Sequence, residues 1–151
     1  MDDINKKKND FISYCLKKDN SFPNHLLPRI IIGNKLESVF IEFRLLPYTI
    51  FVIKNALLKL GHKWSHTIIC GNNNFDFYNN FKKEYGLNIK IIKLNINNIT
   101  REEYSILLLN SNFYNNFIGE HILIYQEDSI IFKNFDNKFL EYDYIGAPYF
   151  D

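Results

Sequence analysis

Short apolar runs alternating with stretches of helical periodicity restrict this chain to few folds. The runs are residues 38–43 (SVFIEF), 64–70 (WSHTIIC), 89–94 and 121–125 (HILIY). Each has strand length, and turn or cap residues bound it. After the first run, Pro47 suits the first turn of a helix. Ile50, Phe51, Ile53, Leu57, Leu58 and Leu60 then recur at helical spacing up to Gly61, a C-cap residue. Residues 76–85 read as a second helix, closed by Gly86. Thr100 and Glu103 have the spacing of a capping box that opens a helix through Leu109, and a further helical piece follows around residues 113–117. The order β-α-β-α-β-α-β, with connections long enough for crossovers, predicts an α/β sandwich with a mainly parallel sheet. Residues 130–132 read as another short strand, 136–140 as a turn or short helix, and 144–147 as the start of an extended piece.

Residues 1–35 are polar and irregular, and are expected to be an N-terminal extension ahead of a domain spanning 36–151. Residues 11–18 suit one or two amphipathic helical turns, and Lys6, Lys7 and Lys8 read as a solvated tail. A length of 151 residues suits one domain, and a formal net charge of +1 argues against a dedicated nucleic-acid binder. Cys15 and Cys70 have neither CxxC spacing nor an adjacent His pattern, so neither a zinc site nor a disulfide framework is expected. The first ten residues lack the apolar core of a signal peptide, and no run nears the ~18 apolar residues of a membrane span. A reducing, cytoplasmic setting is the expectation. The dominance of Asn, Ile, Lys, Phe and Tyr suggests an AT-rich genome, as in some large DNA viruses, parasites or bacteria.

Chemistry concentrates at HILIYQEDS. A strand that ends in Gln126, Glu127 and Asp128 puts acids where open α/β sheets bind ligands. A hard cation needs oxygen ligands, and a cation beside a carboxylate can hold a diphosphate. Asp128 is the candidate cation ligand. The alternative is a solvated acid in a β-turn, and spacing leaves the two even. Glu127 would point differently from Asp128 and ranks below it. Glu42 and Arg44 form a second constellation at the end of the first strand, both on one side by alternation. Arg44 could grip a phosphate through two donors, or simply pair with Glu42 on the sheet rim. The loop from Gly71 through Asn74 to Asp76 could contact a base or ribose, or be ordinary turn chemistry. Neither G-x-G-x-x-G nor a P-loop occurs. His62 and His66 flank Trp64 across a turn and suit structural roles, while His25 and His121 have no evident partner. Glu141 and Asp143 could line a cleft, with Tyr142 and Tyr144 packing on the sheet.

VFIEFRLLPYTIFVIKNAL, HTIICGNNN, LNINNITREEYSILLLNSNFY, GEHILIYQEDS and FLEYDYIGAPY, in this order, resemble an uncharacterised family of glycosyltransferase-like proteins related to GT-A nucleotide-sugar transferases. The resemblance covers roughly residues 38–149. It implies a GT-A-like sandwich that binds a nucleotide-diphosphate sugar for transfer to an unknown acceptor. It places Gln126, Glu127, Asp128 and Ser129 at the family's Asp-x-Asp-like motif. Asp128 would hold Mn²⁺ or Mg²⁺, and Glu42, Arg44, Gly71, Asn74 and Gln126 would lie by the nucleotide. Gln126 stands where the general pattern has its first acid. The catalytic residues are not indicated. Similar proteins continue with an acceptor-side segment, so the expectation is a donor-binding half, incomplete at its C-terminus, whose remainder a further segment or partner chain would supply. The alternative is an inactive remnant that serves as a binding module.

Overall fold

The computed structural model of the chain describes residues 2–146. Residues 147–151, with the end of the E-Y-D-Y-I-G-A-P run, lie outside the described residues. The elements in order are α1 (Asp2–Asn20), β1 (Leu36–Ile41), α2 (Thr49–Leu60), β2 (Trp64–Cys70), α3 (Phe75–Glu84), β3 (Lys90–Lys93), α4 (Arg101–Leu109), α5 (Ser111–Tyr114) and β4 (His121–Tyr125). Short 3₁₀ turns occupy Asn24–Leu26 and Asn137–Glu141.

The described strands form one all-parallel sheet in the order β3-β2-β1-β4. Parallel neighbours need crossovers, and α2, α3 and the α4–α5 pair supply them. The chain is therefore an α/β protein of the kind its apolar runs predict. β1 and β2 are central and almost wholly buried, whereas β4 lies at the edge among the described strands and is only half-buried. An apolar run such as 121–125 is expected of a parallel strand with helices on both faces, and the edge position of β4 corrects that expectation. Its apolar run reflects one packed face and one thinly covered one.

Side chains alternate across the sheet. One face carries Phe40, Trp64, Ile68, Cys70 and Tyr125, packed under α1, α2 and α3 with Leu57, Tyr78 and Ile89. The other carries Val39, Ile41 and Ile69, joined by Phe113 and partly buried Tyr104, Leu107 and Leu108.

Several boundaries differ from the sequence reading, each for a local reason. The first strand stops at Ile41, two residues early, because the Glu42 carboxylate accepts the amides of Phe43 and Arg44 and turns the chain out of the sheet. Residues 130–132 are not a strand. The Asn55 amide donates to the Ile131 carbonyl and accepts its N–H, so a side chain satisfies the backbone that a neighbouring strand would. The second helical piece is Ser111–Tyr114, begun by the Asn110 side chain. The N-terminal stretch is one long helix rather than a turn or two. Lys6, Lys7 and Lys8 are exposed on it, but Cys15 is fully buried, and Ile30 beyond the helix joins the same core. Lys54 of α2, also buried, holds the helix end through a 2.8 Å ion pair to Asp19, with its ammonium over the Tyr85 ring.

Candidate functional site

The chain runs β1, β2, β3 outward in one direction, then returns to place β4 on the other side of β1. The strand order therefore reverses between β1 and β4. In open α/β sheets the crevice at the carboxyl ends of two such strands is where ligands bind. β1 delivers Glu42 and Arg44 to that point, and β4 delivers Gln126, Glu127 and Asp128.

Arg44 lies at the centre. Its Nε donates to Glu42 Oε1 at 2.8 Å and its Nη2 to Glu42 Oε2 at 2.6 Å, a bidentate pair. The same Nη2 donates to Glu127 Oε1, so the guanidinium bridges the ends of β1 and β4. The Glu42 bonds, opposed in part by burial and helped by Glu127, hold Arg44 charged well above its ordinary range. Nη1 has no hydrogen-bond partner among the described residues, and the side chain is 43% exposed. Arg44 therefore keeps free donors toward the crevice. Glu42 itself is buried and saturated by Arg44 and two backbone amides.

Glu127 and Asp128 form the tip of a turn in which the Ser129 amide donates to the Gln126 carbonyl at 3.2 Å. Asp128 is exposed and Gln126 half-buried. Tyr48 and Tyr104 come in from α2's entry and from α4. Burial first, then the negative charge of Glu127, pushes both phenols up to about 12, and Glu42 and Asp128 add to the effect. Both tyrosines are thus neutral hydrogen-bonding groups beside the acids at neutral pH. The capping box of Thr100 and Glu103 fixes the start of α4, which carries Tyr104.

The structure brings Glu42, Arg44 and Asp128 to one edge. It gives Gly71 and Asn74 a different task. The Asn74 side chain is fully buried, donates to the carbonyls of Glu42 and Arg44, and accepts from the Gly71 amide. It pins the strand end that presents Arg44. A Cβ on Gly71 would lie 2.4 Å from the Ile96 carbonyl oxygen, so this glycine admits the loop after β3. The exposed amides beside them belong to Asn72, Asn95 and Asn97, with Asn72 Nδ2 donating to Asn95 Oδ1 at 3.2 Å and to Asn97 Oδ1 at 3.1 Å. Sequence reasoning undervalued Glu127. Only the adjacency of β1 and β4 shows it to be the second partner of Arg44.

Three carboxylates and one guanidinium leave this edge with two formal negative charges. A bare phosphate would be repelled, and a divalent cation would restore balance. No three His, Cys, Asp or Glu side chains converge as a metal cage among the described residues. What is present is one exposed carboxylate, Asp128, and the free Oε2 of Glu127. That fits a cation that arrives with phosphates and keeps its waters, which takes only one or two carboxylates. It does not fit a tightly held resident ion.

Elsewhere the chemistry is structural. Burial pushes the Cys15 and Cys70 thiols up to about 11, so neither is a thiolate nucleophile at neutral pH. His66 faces the helix-covered core, 2.5 Å from Ser38 Oγ through Nδ1. Two surface grooves lie away from the carboxyl edge, one by Lys59, His62 and Trp64, the other by Arg29 and Tyr85. Among the described residues no helix is long and apolar enough to cross a membrane.

Comparison with curated proteins and with solved structures gives no match. A family model described as "Protein of unknown function (DUF5672)" matches residues 88–151, a stretch that includes α4, β4, Glu127 and Asp128 but not Glu42 or Arg44.

Proposed function

We propose that this chain binds the nucleoside diphosphate of a nucleotide-sugar donor between β1 and β4, with a divalent cation held at Asp128. The observation that carries the reading is Arg44, which presents free donors at the strand-order reversal with carboxylates on both sides. A guanidinium offers paired donors to phosphate, and the exposed acid offers a cation ligand. The resemblance to GT-A nucleotide-sugar transferases supports the donor class. In a transferase the cation would neutralise the leaving diphosphate. The protein's part would be to orient that diphosphate through Arg44, while neutral Tyr48 and Tyr104 line the crevice. Gln126 in place of an acid favours a second reading, a domain that binds the donor without turning it over.

Calorimetric titration with UDP and GDP, with and without Mn²⁺, tests the proposal. Manganese should strengthen binding, and in Asp128→Ala binding in its presence should weaken by roughly tenfold or more, about 1.4 kcal/mol. A folded sample that binds neither nucleotide would sink it. Hydrolysis of a UDP- or GDP-sugar by the wild type would decide against the non-catalytic reading.

A further inference from the structure

The two partners of Arg44 are held very differently. Glu42 is 4% exposed, lies two residues from Arg44 in sequence, makes two side-chain bonds to it, and is fixed by two backbone amides. Glu127 is 18% exposed, makes one bond, and sits on a four-residue turn on the half-buried edge strand. Only one of its oxygens is engaged. A competing anion would therefore displace Glu127 and leave Glu42 in place. Charge–charge pairs with this much solvent access contribute little, so displacement costs little.

We infer that the Arg44–Glu127 pair is a latch opened by the incoming diphosphate: phosphate takes the place of Glu127 on the guanidinium, and the freed carboxylate joins Asp128 in binding the cation. This rests on the nucleotide reading above and adds Glu127 to it as the residue that couples phosphate to cation. In the free protein Glu127 occupies one Nη2 donor of Arg44, and among the described residues Nη1 alone is left without a partner. Without a cation, opening the latch would leave Glu127 and Asp128 as adjacent unpaired acids beside a phosphate. Phosphate and cation therefore favour each other's binding through a single side chain.

Calorimetry with UDP and GDP on Glu127→Gln and Glu127→Asp tests the latch. The glutamine variant loses the ion pair and the anionic ligand. Metal-free nucleotide binding should strengthen about fivefold, and the factor by which manganese improves binding should shrink by about tenfold. The aspartate variant is one methylene short of Arg44 but keeps a carboxylate. Its metal-free binding should strengthen likewise, with manganese enhancement near that of the wild type. If both variants match a wild type that binds nucleotide, the latch is overturned and the nucleotide reading stands. If the folded wild type binds no nucleotide with or without manganese, both fall. Should the glutamine variant not fold, the aspartate variant decides: unchanged metal-free affinity overturns the latch.

Discussion

The two faces of the sheet are built to different standards. Under α1, α2 and α3 the packing is continuous, with Phe40, Leu57, Ile69's neighbour Ile68, Tyr78 and Ile89 essentially sealed from solvent. Under α4 and α5 the buried apolar side chains among the described residues are Val39, Ile41, Phe43, Ile69 and Phe113, while Ile106 and Leu109 stand 66% and 85% exposed. Stability that scales with buried apolar area therefore resides on the first face. The candidate site straddles the boundary. Arg44 is anchored through Glu42 and Asn74 to central β1 and α3, and Glu127 hangs from the turn after edge strand β4. A fixed cation facing a loosely held anion is what a displaceable ion pair requires.

The comparison is broken most directly by truncating one large side chain on each face. Phe40→Ala empties a site lined by Tyr78 and Tyr125 and should cost about 3–5 kcal/mol. Ile106→Ala, on the exposed side of α4, should stay within about 0.5 kcal/mol. Urea denaturation of both variants gives the two numbers. An Ile106 loss approaching that of Phe40 would mean that the second face is covered in solution.

This asymmetry marks the limit of what the residues alone disclose. β2 and β4 have the bounds that their apolar runs predict, and α4 opens at Thr100 as its capping box requires, because strand runs and caps are local signals. The long α1 was illegible. Its few apolar residues give weak periodicity, and what holds it is tertiary: Cys15 in the core, Phe11 packed against it, and the distant Lys54 pairing with Asp19. The bond between Glu127 and Arg44 spans 83 residues and needs the strand order to be known. The Gly71 and Asn74 loop reads either as a ligand contact or as a plain turn, since turn chemistry and ligand chemistry use the same residue types. Its close approach to Ile96 and its grip on the Arg44 carbonyl are tertiary facts.

His66 gives the well-packed face a pH signature. It is buried on β2, its Nε2 has no partner among the described residues, and burial lowers its pKa from 6.5 to about 3. The unfolded chain takes up the proton near 6.5, and the folded one resists it. The contribution is fully present above pH 6.5 and declines as pH falls toward 3, by up to about 1.4 kcal/mol per pH unit from this group alone. Thermal midpoints of wild type and His66→Gln at pH 7.5 and 5 should diverge, with the wild type losing more on acidification. Equal losses would show that His66 reaches solvent or a proton acceptor.

The smallest effect sharpens the contrast most. Thr100 Oγ1 accepts the Glu103 amide at 3.2 Å, and Glu103 Oε2 returns a 2.7 Å bond from the Thr100 amide. Thr100→Ala should remove about 1 kcal/mol from α4. If the second face opens on its own, that loss is local. Amide exchange in α4 would then quicken about fivefold while the global unfolding midpoint barely moves. Because α4 carries Tyr104 to the crevice, the same change should weaken nucleotide binding slightly without touching Arg44 or Asp128. A global midpoint that drops by the whole amount would show that α4 unfolds only with the rest. The two faces would then be one cooperative unit, and the looseness of Glu127 would have to come from its own turn.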